Sequence, residues 1–265
     1  MGKSRPARPK AAAKPGAPVR SSRSAPSLAD FPFELPRVTA AERARAAQLL
    51  AALTEAYPDA HCELNYATPH ELLAATILSA QCTDVAVNKA TPALFARFPT
   101  PADYARSAPA EIEPYIRSLG FFRSKAQALH QTMKAIVENF GGQVPRTMEE
   151  LLQLRGVARK TANVVLGNAF GINVGVVVDT HVQRLSARMG LVEPGASVQA
   201  IERKLMALVP RERWCDLSHL LIFHGRRACK ARGATCEHPI CRRFGVECEG
   251  KAAGHNSLKA PRRRP

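Results

Sequence analysis

An all-α fold is the class this sequence predicts, on three observations. Side-chain caps recur ahead of apolar runs, apolar residues return at the helical period, and no stretch alternates convincingly as a strand. The first element follows Thr39, which with Glu42 forms a capping box opening a helix to about Leu53. Thr68-Pro69-His70-Glu71 repeats the device with proline at the first helical position, where its missing N–H costs nothing. Ala126, Leu129, Met133, Val137 and Phe140 return at helical spacing, and Gly141-Gly142 ends that run. Thr147 with Glu150 caps a further short helix, and Asp179, Ser197 and Asp216 mark later starts. The best strand candidate is Val174-Gly175-Val176-Val177-Val178. It is β-like in composition, yet short, interrupted by glycine and ended by the Asp179 cap.

The chain has 265 residues, enough for one large domain or two small ones, and a formal net charge of +16. Such an excess points to a polyanionic partner. The charge is uneven: residues 1–37 carry eight basic and two acidic side chains, residues 251–265 carry five basic and none acidic, and the middle holds 25 basic against 20 acidic. Both ends are rich in Pro, Ala, Ser and Arg and read as disordered basic arms with a sequence-independent attraction to phosphates. No apolar run is long enough to span a bilayer, and no secretory signal follows the first ten residues. A monomer in the cytoplasm, at the nucleoid, with no membrane partner is the expectation.

The most informative stretch runs from Leu151 to Leu166, where a short apolar helix meets the turn Arg155-Gly156-Val157-Ala158 and a second apolar helix follows. A turn of this kind points unpaired backbone N–H groups and the positive end of the helix dipole outward, which makes a phosphate site. Lys160 falls in the first turn of the second helix. The helix field there disfavours an ammonium and favours a free amine nucleophile. Nineteen residues on, Val178-Asp179-Thr180-His181 places Asp179 as an N-cap, ionised and fixed. An amine and an anchored carboxylate, each at a helix start, suit attack on a sugar carbon: the carboxylate stabilises positive charge on the deoxyribose while the amine bonds to C1′.

Seven cysteines are present, and four of them, Cys229, Cys236, Cys241 and Cys248, are separated by six, four and six residues. An odd count with a terminal cluster argues for reduced thiols around a metal, not a disulfide framework. Four thiolates suit a [4Fe–4S] cluster or a zinc ion; zinc prefers close pairs, and only the middle spacing is of that kind.

These segments, with Leu78-Ser79-Ala80-Gln81-Cys82-Thr83-Asp84 and its continuation to Thr91, resemble the endonuclease III family of helix-hairpin-helix DNA glycosylase/lyases. The likeness spans roughly residues 38–250 and rests on four separated motifs in the right order. It implies two helical lobes with a DNA cleft between them. Residues 62–172 would form a six-helix barrel carrying the hairpin, and 38–61 with 173–250 a discontinuous iron–sulfur lobe. By the same resemblance Lys160 is the Schiff-base nucleophile and Asp179 the catalytic carboxylate. Gln81 fills the gap left by a flipped base, and Phe121 is an apolar wedge entering the base stack. Gly156, Val157, Ala158 and His181 meet the DNA backbone, and the four cysteines hold a [4Fe–4S] cluster rather than zinc; Arg155, which stands where the family has proline, adds a phosphate contact of its own. The implied substrate is double-stranded DNA with damaged bases or abasic sites, cut by β-elimination after removal of an oxidised pyrimidine.

Two departures stand out. The family hairpin usually reads Leu-Pro-Gly-Val-Gly where this chain has Leu154-Arg155-Gly156-Val157-Ala158, and the cysteine spacing is usually six, two and five. Ala158 tolerates a positive φ less readily than glycine, so a reshaped hairpin is expected. Two other readings share part of the pattern: a monofunctional adenine-mismatch-type glycosylase, which usually lacks the lysine, and a non-catalytic DNA-binding or redox module.

Overall fold

The structure is a computed structural model that describes residues 33–232 and 236–246. The expected arms fall almost wholly outside the described residues, and so does Cys248. Among the described residues the chain is helical and contains no strand.

Helix α1, Ala40–Ala56, opens at the Thr39–Glu42 capping box. The next is α2, Pro69–Leu78, opened by Thr68 and Glu71 with proline in its first turn. Four more follow: α3, Asp84–Arg97, α4, Pro101–Arg106, α5, Pro109–Ile116, and α6, Phe122–Phe140. Gly141 closes α6 in the left-handed region at φ 58°. The single turn α7, Met148–Leu151, leads through the hairpin to α8, Arg159–Phe170. Asp179 caps α9, Thr180–Arg188, and Ser197 caps α10, Val198–Leu208. Last come α11, Trp214–Arg227, and α12, Pro239–Phe244.

One expected start moves. Asp216 lies inside the first turn of α11, which begins at Trp214 after a 3₁₀ turn over Arg211–Arg213. The Trp214 ring is fully buried, and its Nε1–H donates to the Val209 carbonyl at 2.9 Å. Anchoring this aromatic, worth about 3–5 kcal/mol against alanine, starts the helix there, and Asp216 pairs with Arg213 at 3.0 Å.

The apolar residues gather in two clusters. One is built by α2, α3, α4, α5, α6 and α8 with the turn α7, and includes Leu72, Leu94, Ile116, Leu129 and Val165. The other draws on α1 and then on α9 to α12, including Leu53, Val182, Leu205, Trp214 and Phe244. The second cluster is therefore discontinuous in sequence. The chain leaves it after α1, builds the first cluster, and returns through Val176 and Val178.

That returning segment is the strand candidate, and it pairs with no strand. Val176, Val177 and Val178 are buried. The Val177 N–H donates to Ser218 Oγ on α11 at 3.0 Å, so a side chain supplies the partner that a ladder would otherwise give. The glycine has its own reason. A Cβ on Gly175 would stand 2.2 Å from Glu202 Oε1 and 2.5 Å from Asn163 Nδ2. Those atoms form an ion-pair clamp between α8 and α10: Arg159 Nε reaches both Glu202 oxygens at 3.0 and 2.9 Å, and Asn163 Nδ2 donates to one of them at 2.9 Å. Glu202 is buried. The clamp fixes the first turn of α8, the turn that carries Lys160, against the second cluster.

Candidate active site and cysteine group

The hairpin begins where α7 ends. Gly156 takes φ 77°, the conformation that only glycine adopts without strain, and its open side faces Ala128 at 3.5 Å. The Val157 side chain turns inward and joins the first core, and its N–H bonds the Leu154 carbonyl at 3.2 Å. Thr132 Oγ1 donates to the Arg155 carbonyl at 2.5 Å and ties the turn to α6. Arg155 is exposed. Ala158 corrects the sequence expectation. It is the N-cap of α8 at φ −95°, ψ 169°, extended backbone open to any residue, so replacing glycine here requires no reshaping. No side chain caps α8, which leaves the N–H groups of its first turn facing outward.

Asp179 makes the opposite kind of start. Its Oδ1 accepts from the backbone N–H of both His181 and Val182 at 2.8 Å. The carboxylate is thereby pinned in one orientation. Burial pushes the neighbouring His181 imidazole below its usual value, against the opposing pull of Asp179.

Lys160 and Asp179 line one cleft of about 840 Å³ together with Thr180, His181, Arg226, Ser79 and Asp84. That volume lies within the range of about 300–1,000 Å³ usual for ligand sites. A deeper recess continues from the same two residues, past Val177, to Cys62, Cys215 and His219. Burial pushes Cys62 up to about 11 and Cys215 up to about 12, so both thiols stay neutral. Burial also pushes His219 down to about 4, and its Nε2 lies 2.7 Å from Asn168 Oδ1. The two thiols and His219 at the end of the recess are therefore uncharged at neutral pH.

Gln81 and Phe121 are the two non-glycine residues with positive φ among those described, at 56° and 58°. Such backbone costs of order 1–3 kcal/mol each and gathers at functional positions. Phe121 is 69% exposed, whereas Phe122 packs partly against the first core. Their loops are tied together: Lys125, buried one turn into α6, donates from Nζ to Cys82 Sγ at 3.0 Å.

Arg226, a residue the sequence alone does not single out, enters the cleft in the fold, pairing with Asp84 Oδ2 at 2.8 Å and with Glu63. No local pattern signals this bond, because its partners lie far upstream, before and at the start of α3.

Three of the four cysteines are described. Cys236 and Cys241 bring their sulfurs together with His224 Nε2, all within 4.8 Å of one another. The Cys241 thiol and the Arg188 guanidinium donate to Cys229 Sγ and hold that thiol well below its ordinary range. Cys229, Cys236 and Cys241 are all free of disulfides. A convergent group of free thiols of this kind, with Cys229 held toward its thiolate form, fits a metal site. Cys248 lies outside the described residues. His224 was not singled out from the sequence; its signal was position alone, five residues before Cys229 and near the end of α11.

Residues 74–211 match the HhH-GPD superfamily of base excision DNA repair proteins. An endonuclease III of Synechocystis sp. is 53% identical over 200 residues, covering 76% of this chain and 91% of that relative. This chain belongs to the endonuclease III family. The endonuclease III of Escherichia coli K12 is 42% identical over 194 residues, covering 73% of this chain and 91% of its own length. The fold also matches a trapped endonuclease III–DNA covalent intermediate with a TM-score of 0.75 and 40% identity, over 82% of this chain and all of that one. A non-covalent endonuclease III–DNA complex matches with the same TM-score and identity. A thermostable thymine-DNA glycosylase shares this fold at a TM-score of 0.70 and 21% identity, over 79% of this chain and 98% of its own. Among the described residues no helix is long and apolar enough to cross a membrane.

Proposed function

We propose that this chain is a bifunctional DNA glycosylase and AP lyase of base excision repair that removes oxidised pyrimidines from double-stranded DNA. The observation that carries the reading is the meeting of the Lys160 amine and the Asp179 carboxylate in one cleft, each at a helix start. A base extruded from the duplex enters the cleft, the exposed Phe121 occupies the space in the stack, and Gln81 meets the orphaned partner. The outward N–H groups at Gly156, Ala158 and the start of α8, with Arg155 and His181, hold the phosphates. Val157 contributes by anchoring the turn from within.

The chemistry then follows from the two groups. The Lys160 Nζ, once it has given up a proton, forms a bond to C1′ as the glycosidic C1′–N bond breaks, and the base leaves with a proton. The Asp179 carboxylate stabilises the positive charge that develops on the sugar. Ring opening gives an iminium between Lys160 and C1′. This acidifies the C2′ proton, whose loss expels the 3′ phosphate and cuts the strand. Water then hydrolyses the imine and frees the enzyme. A monofunctional adenine-mismatch-type glycosylase has no use for an amine at this point in the cleft.

The two apolar clusters support a two-lobe division, 62–172 as the barrel and 38–61 with 173–250 as the second lobe, with the DNA between them. Within the second lobe we assign the cysteines, Cys248 included, to a [4Fe–4S] cluster in place of zinc. The wide cysteine spacing and the sulfur-rich convergence support that choice. A cluster held there would order the loop between its ligands, whose basic residues would reach DNA. A broad visible absorption band and four irons per chain are expected; a colourless zinc protein contradicts the assignment.

Sodium borohydride added during turnover on a duplex containing one oxidised pyrimidine traps a covalent protein–DNA adduct. Lys160→Gln abolishes the adduct. Base release without nicking by the unaltered protein favours the monofunctional reading instead.

A further inference from the structure

His224 lies on α11 with its side chain fully buried, and both of its ring nitrogens are engaged. Nδ1 is 2.8 Å from the hydroxyl of Tyr57, the residue that ends α1. Nε2 is 3.1 Å from Cys241 Sγ. The Tyr57 hydroxyl has one proton to give, and Nδ1 is within reach of it. When Tyr57 donates there, Nδ1 is the acceptor and the ring proton stays on Nε2, aimed at the sulfur. The His238 ring packs edge-on against His224 at 5.0 Å and is stacked with Tyr57 at 6.3 Å, so aromatic neighbours flank the relay. Neither Tyr57 nor His224 belongs to the cysteine loop. One comes from α1 and the other from α11, one from each segment of the discontinuous lobe.

We infer that Tyr57 and His224 form a hydrogen-bond relay that places an N–H donor on the Cys241 sulfur and thereby sets the redox potential of the metal centre held there. This rests on the reading of the cysteines as ligands of an iron–sulfur cluster. A donor to a ligand sulfur withdraws electron density from the metal–sulfur bond and stabilises the more reduced state, so it raises the potential. His224 acts as a positioning and tuning residue, with no contact to DNA. Tyr57 acts one step further out by fixing the tautomer. Losing its hydroxyl lets the proton move to Nδ1 and turns a lone pair toward the sulfur.

The test uses the full chain in four forms: unaltered, Tyr57→Phe, His224→Gln and His224→Leu. Iron content and visible absorption are measured first, then the cluster potential by voltammetry and the iron–thiolate stretch by resonance Raman. All cluster-loaded forms are compared by circular dichroism and thermal unfolding. The unaltered protein is expected to have the highest potential and the weakest iron–thiolate stretch of the Cys241 bond. The potential is expected to fall in Tyr57→Phe and to fall furthest in His224→Leu. His224→Gln, which keeps an N–H donor, is expected to restore part of the difference. Tyr57→Phe carries the test where a His224 variant fails to fold. Equal potentials and stretches in cluster-loaded unaltered and Tyr57→Phe protein overturn the relay and leave the cluster assignment standing. A strong nitrogen hyperfine coupling in the oxidised cluster, lost in His224→Gln, overturns it differently, by making His224 a ligand. Colourless, zinc-bearing unaltered protein removes the cluster reading and the relay with it.

Discussion

The two helix starts that face the cleft are built in opposite ways. α8 begins at Ala158 with no side-chain cap, so its first-turn N–H groups remain free for an outside anion. α9 begins at Asp179, whose own carboxylate takes up two of those groups, from His181 and Val182. One start is left open to bind a phosphate, and the other is closed on itself to hold a charge still. What they share is burial behind the proposed catalytic side chain: the Arg159–Glu202 clamp behind Lys160 and the Val177–Ser218 bond behind Asp179. Reactive groups here are exposed at the tip and fixed at the root.

The comparison breaks most visibly at Asp179. Asp179→Asn keeps a competent cap but loses the charge, so base release is expected to fall by about 10²–10³-fold with little change in stability. Asp179→Ala is expected to lose the same activity and about 1 kcal/mol of stability as well. Single-turnover rates set beside urea unfolding separate the two; an Asn variant with near-normal rates contradicts the assigned role of the charge.

The root of the site carries its own pH dependence. His219 is neutral in the fold, with its value pushed down to about 4 from an ordinary 6.5. The unfolded chain therefore takes up a proton first. The contribution is complete above about pH 6.5 and is lost as the pH falls from there toward 4, by about 3 kcal/mol at most. Urea unfolding from pH 7 to pH 4.5 should show that slope, and His219→Gln should flatten it. A slope that is unchanged in the variant assigns the acid sensitivity elsewhere.

Two smaller substitutions sharpen the difference between glycine and its neighbours. Gly175→Ala drives a methyl into Glu202 and Asn163 and is expected to cost about 1–3 kcal/mol while loosening α8. Ala158→Gly is expected to change stability by only a few tenths of a kcal/mol, because φ −95° suits either residue. Thermal unfolding ranks the two, and a larger loss at residue 158 would contradict the described backbone.

Local chemistry is what the sequence made readable. The boxes at Thr39 and Thr68, the caps at Thr147, Asp179 and Ser197, and the glycine stop at Gly141 depend on residues within a few positions, and each stands where its pattern predicts. Asp216 misled because a buried tryptophan two residues earlier, not a cap, sets the start of α11. Ala158 misled because the glycine it replaces was read as a need for positive φ. Gln81 and Phe121 were legible through family likeness alone, since nothing in their neighbours announces a left-handed backbone. The Arg226–Asp84 and Tyr57–His224–Cys241 contacts were invisible, because each joins residues from helices far apart in sequence.

The central claim is that one particular amine reaches the sugar. Peptide mass spectrometry of the borohydride-reduced adduct, after nuclease trimming, locates the attached sugar directly. The account predicts the modification on Lys160 alone. A sugar found on Lys125, on another lysine or on the N-terminal amine would contradict it.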